Sequence, residues 1–272
     1  MFEGGKVMSI NSYLTGLASE LVLSSNEKSS IRTSIDTLSR RLNLYFDDGE
    51  LDKHFQFGSN TRGTILPRKA DSESDIDYMV VFKNPNNYKP DTLLGHLKKF
   101  MKKYYSTSEI YRDSPTMVLE LNHIRFELVP AKQDYSGNLS IPSKSNILTE
   151  WMSTDPTGFN KKLTDANIKN SSKLKPVIRL MKYWNRGKLS GHYSSYALEE
   201  WIVDRYTYFP KTSVRDYVYD IIEFLSCNWD DSQTFKNNLN SSKNIIKKCK
   251  ECESNDMPYT ALSEIKKLFP EM

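Results

Sequence analysis

Apolar residues recur along the chain in two different periods, and the switches between them lay out its elements. From Ser9 onward, Ile10, Tyr13, Leu14, Leu17, Ala18 and Leu21 keep helical spacing. After the polar interval Ser24 to Ser30 the spacing resumes at Ile31, Ile35, Leu38 and Leu42, which predicts two helices or one long helix. Asp48 to Lys53 reads as a turn and His54 to Phe57 as a strand. Asp75-Ile76-Asp77-Tyr78-Met79-Val80-Val81-Phe82 is rich in β-branched and aromatic residues and too short for a typical helix, so it reads as another strand. Asn84 to Pro90 has turn chemistry. A helix then opens at Asp91 or Thr92 and runs to about Tyr104, with Leu93, Leu97, Phe100 and Met101 inward and Lys98, Lys99, Lys102 and Lys103 in solvent. Thr116 to Leu121 and His123 to Val129 form two strands around a turn at Asn122, giving a small mixed sheet.

Gln133 to Ser145 reads as loop, and a helical half begins within Ile147 to Met152. A boundary near Pro156 divides the chain into 1–155 and 156–272, an α+β arrangement with a sheet-bearing first half and a helical second half. In the second half Lys175-Pro176 starts a helix whose apolar face is Val177, Leu180, Met181 and Trp184, with Lys182 off that face. A loop from Gly187 to Gly191 leads to Tyr193-Ser194-Ser195-Tyr196-Ala197-Leu198-Glu199, which opens a helix to about Tyr208. The remainder, including Phe224-Leu225, Ile245-Ile246 and Leu262 to Phe269, reads as packing helices.

Composition excludes several classes. A chain of 272 residues, 38% hydrophobic and 26% charged, can bury a substantial core. A net charge of +4 suits anionic small molecules without demanding a nucleic-acid groove. No apolar run approaches the roughly 18 residues of a membrane span, and the start of the chain, with Gly4-Gly5 as a flexible lead, lacks the apolar core of a signal peptide. The expected compartment is the cytoplasm. Cys227, Cys249 and Cys252 are expected as reduced thiols, because the pair Cys249-x-x-Cys252 lacks the further ligands of a structural zinc site.

The candidate chemistry concentrates between Gln56 and Phe82. Alternation along a strand puts Asp75 and Asp77 on one face, roughly 6–7 Å apart at Cα, with Ile76 turned to the core. Paired carboxylates on a rigid strand can hold one or two Mg²⁺ ions and leave positions for water and phosphate oxygens. Gly58-Ser59 supplies a phosphate partner: a glycine without Cβ lets the backbone approach an anion, and the hydroxyl donates. Arg62 and Gly63 follow in the same loop. Either feature alone is an ordinary loop or a solvated strand end; in this order and spacing they are far more specific.

Gly58-Ser59, then Arg62-Gly63-Thr64, then Ser74-Asp75-Ile76-Asp77 resembles the core motif of the DNA polymerase β-type nucleotidyltransferases, in particular the cGAS/DncV-like branch that includes oligoadenylate synthase. That branch carries a third metal-binding acid in an Asp-hydrophobic-hydrophobic-Pro-Ala context, which Phe126-Glu127-Leu128-Val129-Pro130-Ala131 resembles, with Glu in place of Asp. The extra methylene displaces the carboxylate by about 1 Å or more, and Mg²⁺ tolerates poor octahedral geometry badly, so Mn²⁺ is a possible substitute. The resemblance implies a catalytic core plus a C-terminal helical domain with the active site in the cleft between them. It assigns catalysis and metal binding to Asp75, Asp77 and Glu127. It assigns nucleotide binding to Gly58, Ser59 and Arg62, with Lys182 on the triphosphate, the Ser195 hydroxyl on a phosphate and the Tyr196 ring stacked on the base. Read without it, Lys182 is a solvent-exposed lysine, Ser194 or Ser195 a helix N-cap and Tyr196 a core residue.

The implied function is synthesis of a cyclic di- or oligonucleotide second messenger from nucleoside triphosphates with release of pyrophosphate, in anti-phage signalling through an effector that the product reaches. A monomer is expected, and neither a nucleic-acid activator nor a membrane is indicated. Two alternatives stand: nucleotidyl transfer to RNA or protein, and a nucleotide-binding sensor inactivated by Glu127.

Overall fold

Ser9 and Ser24 fix where the first two helices begin. Ser9 Oγ accepts from the Ser12 amide at 3.1 Å and caps α1, Ile10–Glu20. Ser24 and Glu27 form a reciprocal capping box that starts α2, Ser25–Tyr45. The polar interval between the two apolar runs is therefore the opening of the second helix, and the two-helix reading holds. The computed structural model describes residues 8–84, 86–113, 115–143 and 150–271. The expected Gly4-Gly5 lead and the Ile147 end of the expected helical start lie outside these residues.

The elements that follow are β1 (Leu51–Gln56), α3 (Gly58–Arg62), β2 (Asp75–Phe82), α4 (Pro90–Tyr104), β3 (Glu109–Asp113), β4 (Thr116–Glu120), β5 (Arg125–Gln133), β6 (Leu139–Pro142) and β7 (Trp151–Thr154). Helices α5 (Gly158–Lys169), α6 (Leu174–Leu189), α7 (Ser195–Tyr208), α8 (Val214–Phe224), α9 (Gln233–Ser254) and α10 (Pro258–Lys266) complete the described chain. The described residues fold as two compact units: a sheet unit within 23–68 and 72–161, and a helical unit within 8–22, 69–71 and 162–271. A cut at 155/156 would leave α1 with the sheet; it packs instead with the C-terminal helices, because Ile10, Leu14, Leu17 and Ala18 are buried where α1 meets α6, α8 and α10.

In the sheet unit the strand order is β1-β2-β5-β4-β3, with β6 on the far end of β5 and β7 on β6. The pairs β1·β2 and β4·β5 are antiparallel, and β2·β5 is parallel, so the sheet is mixed as expected. One face, with Ile76, Tyr78, Val80, Phe126 and Leu128, packs on α2 and α4 through Leu38, Leu42, Leu97 and Phe100. The other face carries Asp75 and Asp77, and further along Met79, Val81, Val129 and Ala131.

Several expectations of the sequence are corrected. β1 begins at Leu51, within the stretch read as a turn, and α6 runs on to Leu189, into the stretch read as a loop from Gly187. Trp151 and Met152 belong to the strand β7 and not to a helix. The loop read from Gln133 contains β6, and β3 lies in a stretch given no element. These strands are four or five residues long and almost without buried positions, so no clear alternation marks them.

The helical unit is built around α6, which is buried on nearly every side: Val177, Leu180, Met181 and Trp184, but also Arg179, Lys182 and Asn185. Trp184 Nε1 donates to Ser242 Oγ at 3.2 Å, which satisfies its one polar atom in the core. Cys249 and Cys252 are buried free thiols on α9. No helix among the described residues is long and apolar enough to cross a membrane.

Candidate active site

Parallel pairing of β2 with β5 sets Asp75 beside Arg125, Ile76 beside Phe126 and Asp77 beside Glu127. Side chains alternate, so Asp75, Asp77, Arg125 and Glu127 stand on one face of two strands roughly 4.8 Å apart. The structure thus brings together the three acids that the sequence singled out, in a register no local pattern specifies.

The Gly-Ser turn comes in against this face. The Phe57 amide donates to the Asp77 carbonyl at 3.0 Å. Gly58 has φ +76°, and a Cβ there would lie 1.7 Å from Asp77 Oδ2, so both conformation and space require glycine. Gly58-Ser59 is the start of the short helix α3 rather than a bare turn, closed by Gly63 at φ 70°. The Ser59 carbonyl accepts from the Thr64 and Ile65 amides at 3.0 and 3.2 Å, tying the loop back on itself. Arg62 is buried, its guanidinium 5.3 Å from the centre of the Phe159 ring.

Arg125 is the residue that sequence reasoning left without a role. Its Nη1 donates to Glu73 at 2.6 Å, and its Nη2 lies 3.2 Å from Glu127 Oε1 and 3.7 Å from Asp75 Oδ2; Glu120 is 3.8 Å from Nη1. Burial opposes the arginine's charge, but Glu127 and Asp75 outweigh it and raise its pKa. Glu127 shows the converse: burial first, and then the Asp75 charge, push its acid up to about 7, against the pull of Arg125. The spacing Arg-x-Glu on one strand was the signal in the sequence, since residues two apart share a face.

Among the described residues no three His, Cys, Asp or Glu side chains stand grouped as a finished metal cage. The donor set nevertheless fits a hard divalent cation. It consists of carboxylates on two neighbouring strands, one of which carries an elevated proton affinity that a cation would relieve.

Lys182, Ser195 and Tyr196 belong to the helical unit. Lys182, expected off the apolar face of α6, is buried with Nζ 3.2 Å from Glu199 Oε1 on α7, and the two side chains are 6% and 0% exposed. Ser194 is the N-cap of α7, accepting from the Ala197 amide at 3.2 Å. Ser195 opens the helix in solvent, and Tyr196 is 49% exposed with its hydroxyl 3.4 Å from Glu200, so it is not a core residue.

A family model described as the Second Messenger Oligonucleotide or Dinucleotide Synthetase domain, SMODS, matches residues 8–167. A cyclic AMP-AMP-AMP synthase of Acinetobacter sp. is 22% identical over 191 residues, which is 68% of this chain and 54% of that protein. A probable cyclic nucleotide synthase of Bacillus cereus is 33% identical over 107 residues, 37% of this chain and 31% of that protein. The match thus spans about half, or less, of the length of these relatives. The fold is shared with the cyclic AMP-GMP synthase DncV of Vibrio cholerae, crystallised with a linear intermediate, at TM-score 0.77 and 12% identity over 98% of this chain and 97% of that one. It is shared with E. coli MS115-1 CdnC, solved as a complex with HORMA-deltaN, at TM-score 0.72 and 13% identity over 97% of this chain and 99% of that one.

Proposed function

The chain belongs to the Second Messenger Oligonucleotide or Dinucleotide Synthetase family, and on that premise we propose that it joins nucleoside triphosphates into a cyclic di- or oligonucleotide, releasing pyrophosphate. The observation that carries this reading is the Gly58 backbone pressed against Asp77, with Glu127 beside it in register. Asp75 and Asp77 present carboxylate oxygens from the rigid β2, and Glu127 adds a third from β5. Mg²⁺, or Mn²⁺ in its place, supplies when bound neutralisation of triphosphate charge and a lowered pKa for the attacking ribose hydroxyl. The Gly58-Ser59 backbone and the Ser59 hydroxyl hold phosphate oxygens next to the acids, with Arg62 of the same loop as a further nucleotide-binding residue. Lys182 serves the polyphosphate as a point charge, the Ser195 hydroxyl donates to it, and the exposed Tyr196 ring stacks on a base. Positioning of the hydroxyl in line with the α-phosphorus does most of the work, as in phosphoryl transfer generally. The protein acts as a cytoplasmic monomer in anti-phage signalling, its product reaching a separate effector.

A second reading, nucleotide binding without turnover, is favoured by one observation: the Arg125 guanidinium lies on Asp75 and Glu127. One experiment separates the two. Purified protein is incubated with the four ribonucleoside triphosphates and Mg²⁺ or Mn²⁺, and the small molecules are read by mass spectrometry. Phosphatase-resistant cyclic nucleotides are expected, reduced about a thousandfold or more in the Asp75→Ala/Asp77→Ala variant. Nucleotide binding with neither product nor pyrophosphate in either metal overturns the cyclase reading in favour of the sensor. Labelling of added RNA or protein instead would redirect it to those acceptors.

A further inference from the structure

One guanidinium, on Arg125, lies within 4 Å of four carboxylates, those of Glu73, Asp75, Glu120 and Glu127. Its grip is uneven. The bond to Glu73 is short, 2.6 Å, and Glu73 stands half in solvent, whereas the contacts to Glu127 and Asp75 are looser at 3.2 and 3.7 Å and come from the other terminal nitrogen. The third nitrogen, Nε, is buried and has no hydrogen-bond partner, so nothing locks the inner edge of the fork. A guanidinium so anchored can release two carboxylates on one side while it stays fixed on the other.

We propose that Arg125 is an internal counter-cation of the acid cluster, a positioning residue that gathers Asp75 and Glu127 in the cation-free protein and yields them to an incoming divalent cation while remaining attached to Glu73. The proposal rests on the reading that these acids bind such a cation, but not on turnover. It also gives the longer Glu127 a physical place: its extra reach brings Oε1 back to the arginine two positions earlier on the same strand face.

The consequence is an exchange of one positive charge for another, and thermal unfolding reads it without substrate. In Arg125→Met the clustered carboxylates lose their counter-charge, and the melting temperature without divalent cation falls by about 4–10 °C. Millimolar MnCl₂ restores most of that fall in the variant and adds little to the parent, because a ligand bound only by the folded state stabilises in proportion to its occupancy. Arg125→Lys keeps a charge but cannot fork between Glu73 and Glu127, and gives an intermediate Mn²⁺ response. It binds Mn²⁺ several-fold more tightly than the parent, about three- to tenfold by electron paramagnetic resonance titration. Adding Asp77→Asn abolishes the Mn²⁺ response in each background.

A Mn²⁺ shift no larger in the variants than in the parent overturns the proposal and leaves Arg125 a packing residue, as does weaker Mn²⁺ binding by Arg125→Lys. Should Arg125→Met not fold, the lysine variant decides alone. Failure of the cyclase assay with the Mn²⁺ exchange intact would remove the proposed function and leave this inference standing. Products made normally with no exchange would do the reverse.

Discussion

The two units hold their clustered charges in opposite ways. In the sheet unit several carboxylates share one arginine, at the partly exposed end of two strands. In the helical unit Lys182 forms an ion pair with Glu199, and both are buried. An outnumbered counter-charge leaves net negative potential that a cation can satisfy; a balanced buried pair leaves none and has already met its desolvation cost. The resemblance gave Asp75 a catalytic and metal-binding role and Lys182 a nucleotide-binding one, yet only the acids stand in surplus. In the proposed function Lys182 would have to share itself between a phosphate and Glu199.

That contrast can be broken at its strongest point. Glu199→Ala leaves the Lys182 ammonium buried without its partner and should destabilise the protein by about 3–5 kcal/mol in urea unfolding. The double variant Lys182→Met/Glu199→Met should return to within about 2 kcal/mol of the parent, while calorimetric binding of nucleoside triphosphate is lost. If the double variant binds nucleotide as the parent does, the pair is structural and Lys182 leaves the inventory.

The next largest effect lies at Gly58. Gly58→Ala combines φ +76° with a Cβ 1.7 Å from Asp77 Oδ2, so the carboxylate must move; product formation is expected to drop about 100-fold, and stability by roughly 1–3 kcal/mol. Gly63→Ala, at φ +70° with nothing within 4 Å of the new Cβ, should cost about 1–2 kcal/mol of stability and far less activity. Equal activity losses in the two would show that strain, and not the approach to Asp77, governs the loop.

The smallest effect concerns a group held by neutral partners. His54 lies between the Tyr78 hydroxyl, 2.9 Å away, and the Asn43 side chain, 2.8 Å away, and burial lowers its pKa. The unfolded chain therefore binds the proton more readily than the folded one. The His54 contribution is complete above the unfolded value near 6.5 and is lost as pH falls from there toward the lower folded value. Between pH 7 and 5 Glu127, whose acid is pushed up to about 7, stabilises the folded chain as pH falls, so the His54 loss is read as a difference: melting temperature should fall more, or rise less, in the parent than in His54→Gln. Identical pH profiles in the two would leave His54 without a contribution.

Much of this was legible in the sequence where period and spacing carry the information. β2 and β5 alternate over their first four residues, which is where the faces of Asp75, Asp77 and Glu127 could be assigned, and α4 and α6 announced themselves by their apolar positions. What was not legible depends on partners. Arg125 and Glu199 acquire meaning only through strand register and helix packing, which place Glu73 and Lys182 against them. α6 looked amphipathic, but a helix enclosed on nearly every side along its middle buries its polar residues too, and Lys182 went in with a counter-charge from the next helix. The capping box of α2 was written in Ser24 and Glu27, and its polar first turns disguised it as an interruption.

The parallel register of β2 and β5 also sets an order in time. Gly58 and the two aspartates come from β1, α3 and β2, close neighbours in sequence that can pair early through local contacts. Glu127 and Arg125 must cross α4, β3 and β4 before they reach the same face, and closing so long a connection is a slow step. On the proposed function, the acid face is therefore expected to be among the last features completed as the chain folds, and a cation bound there would report a finished sheet and not seed one.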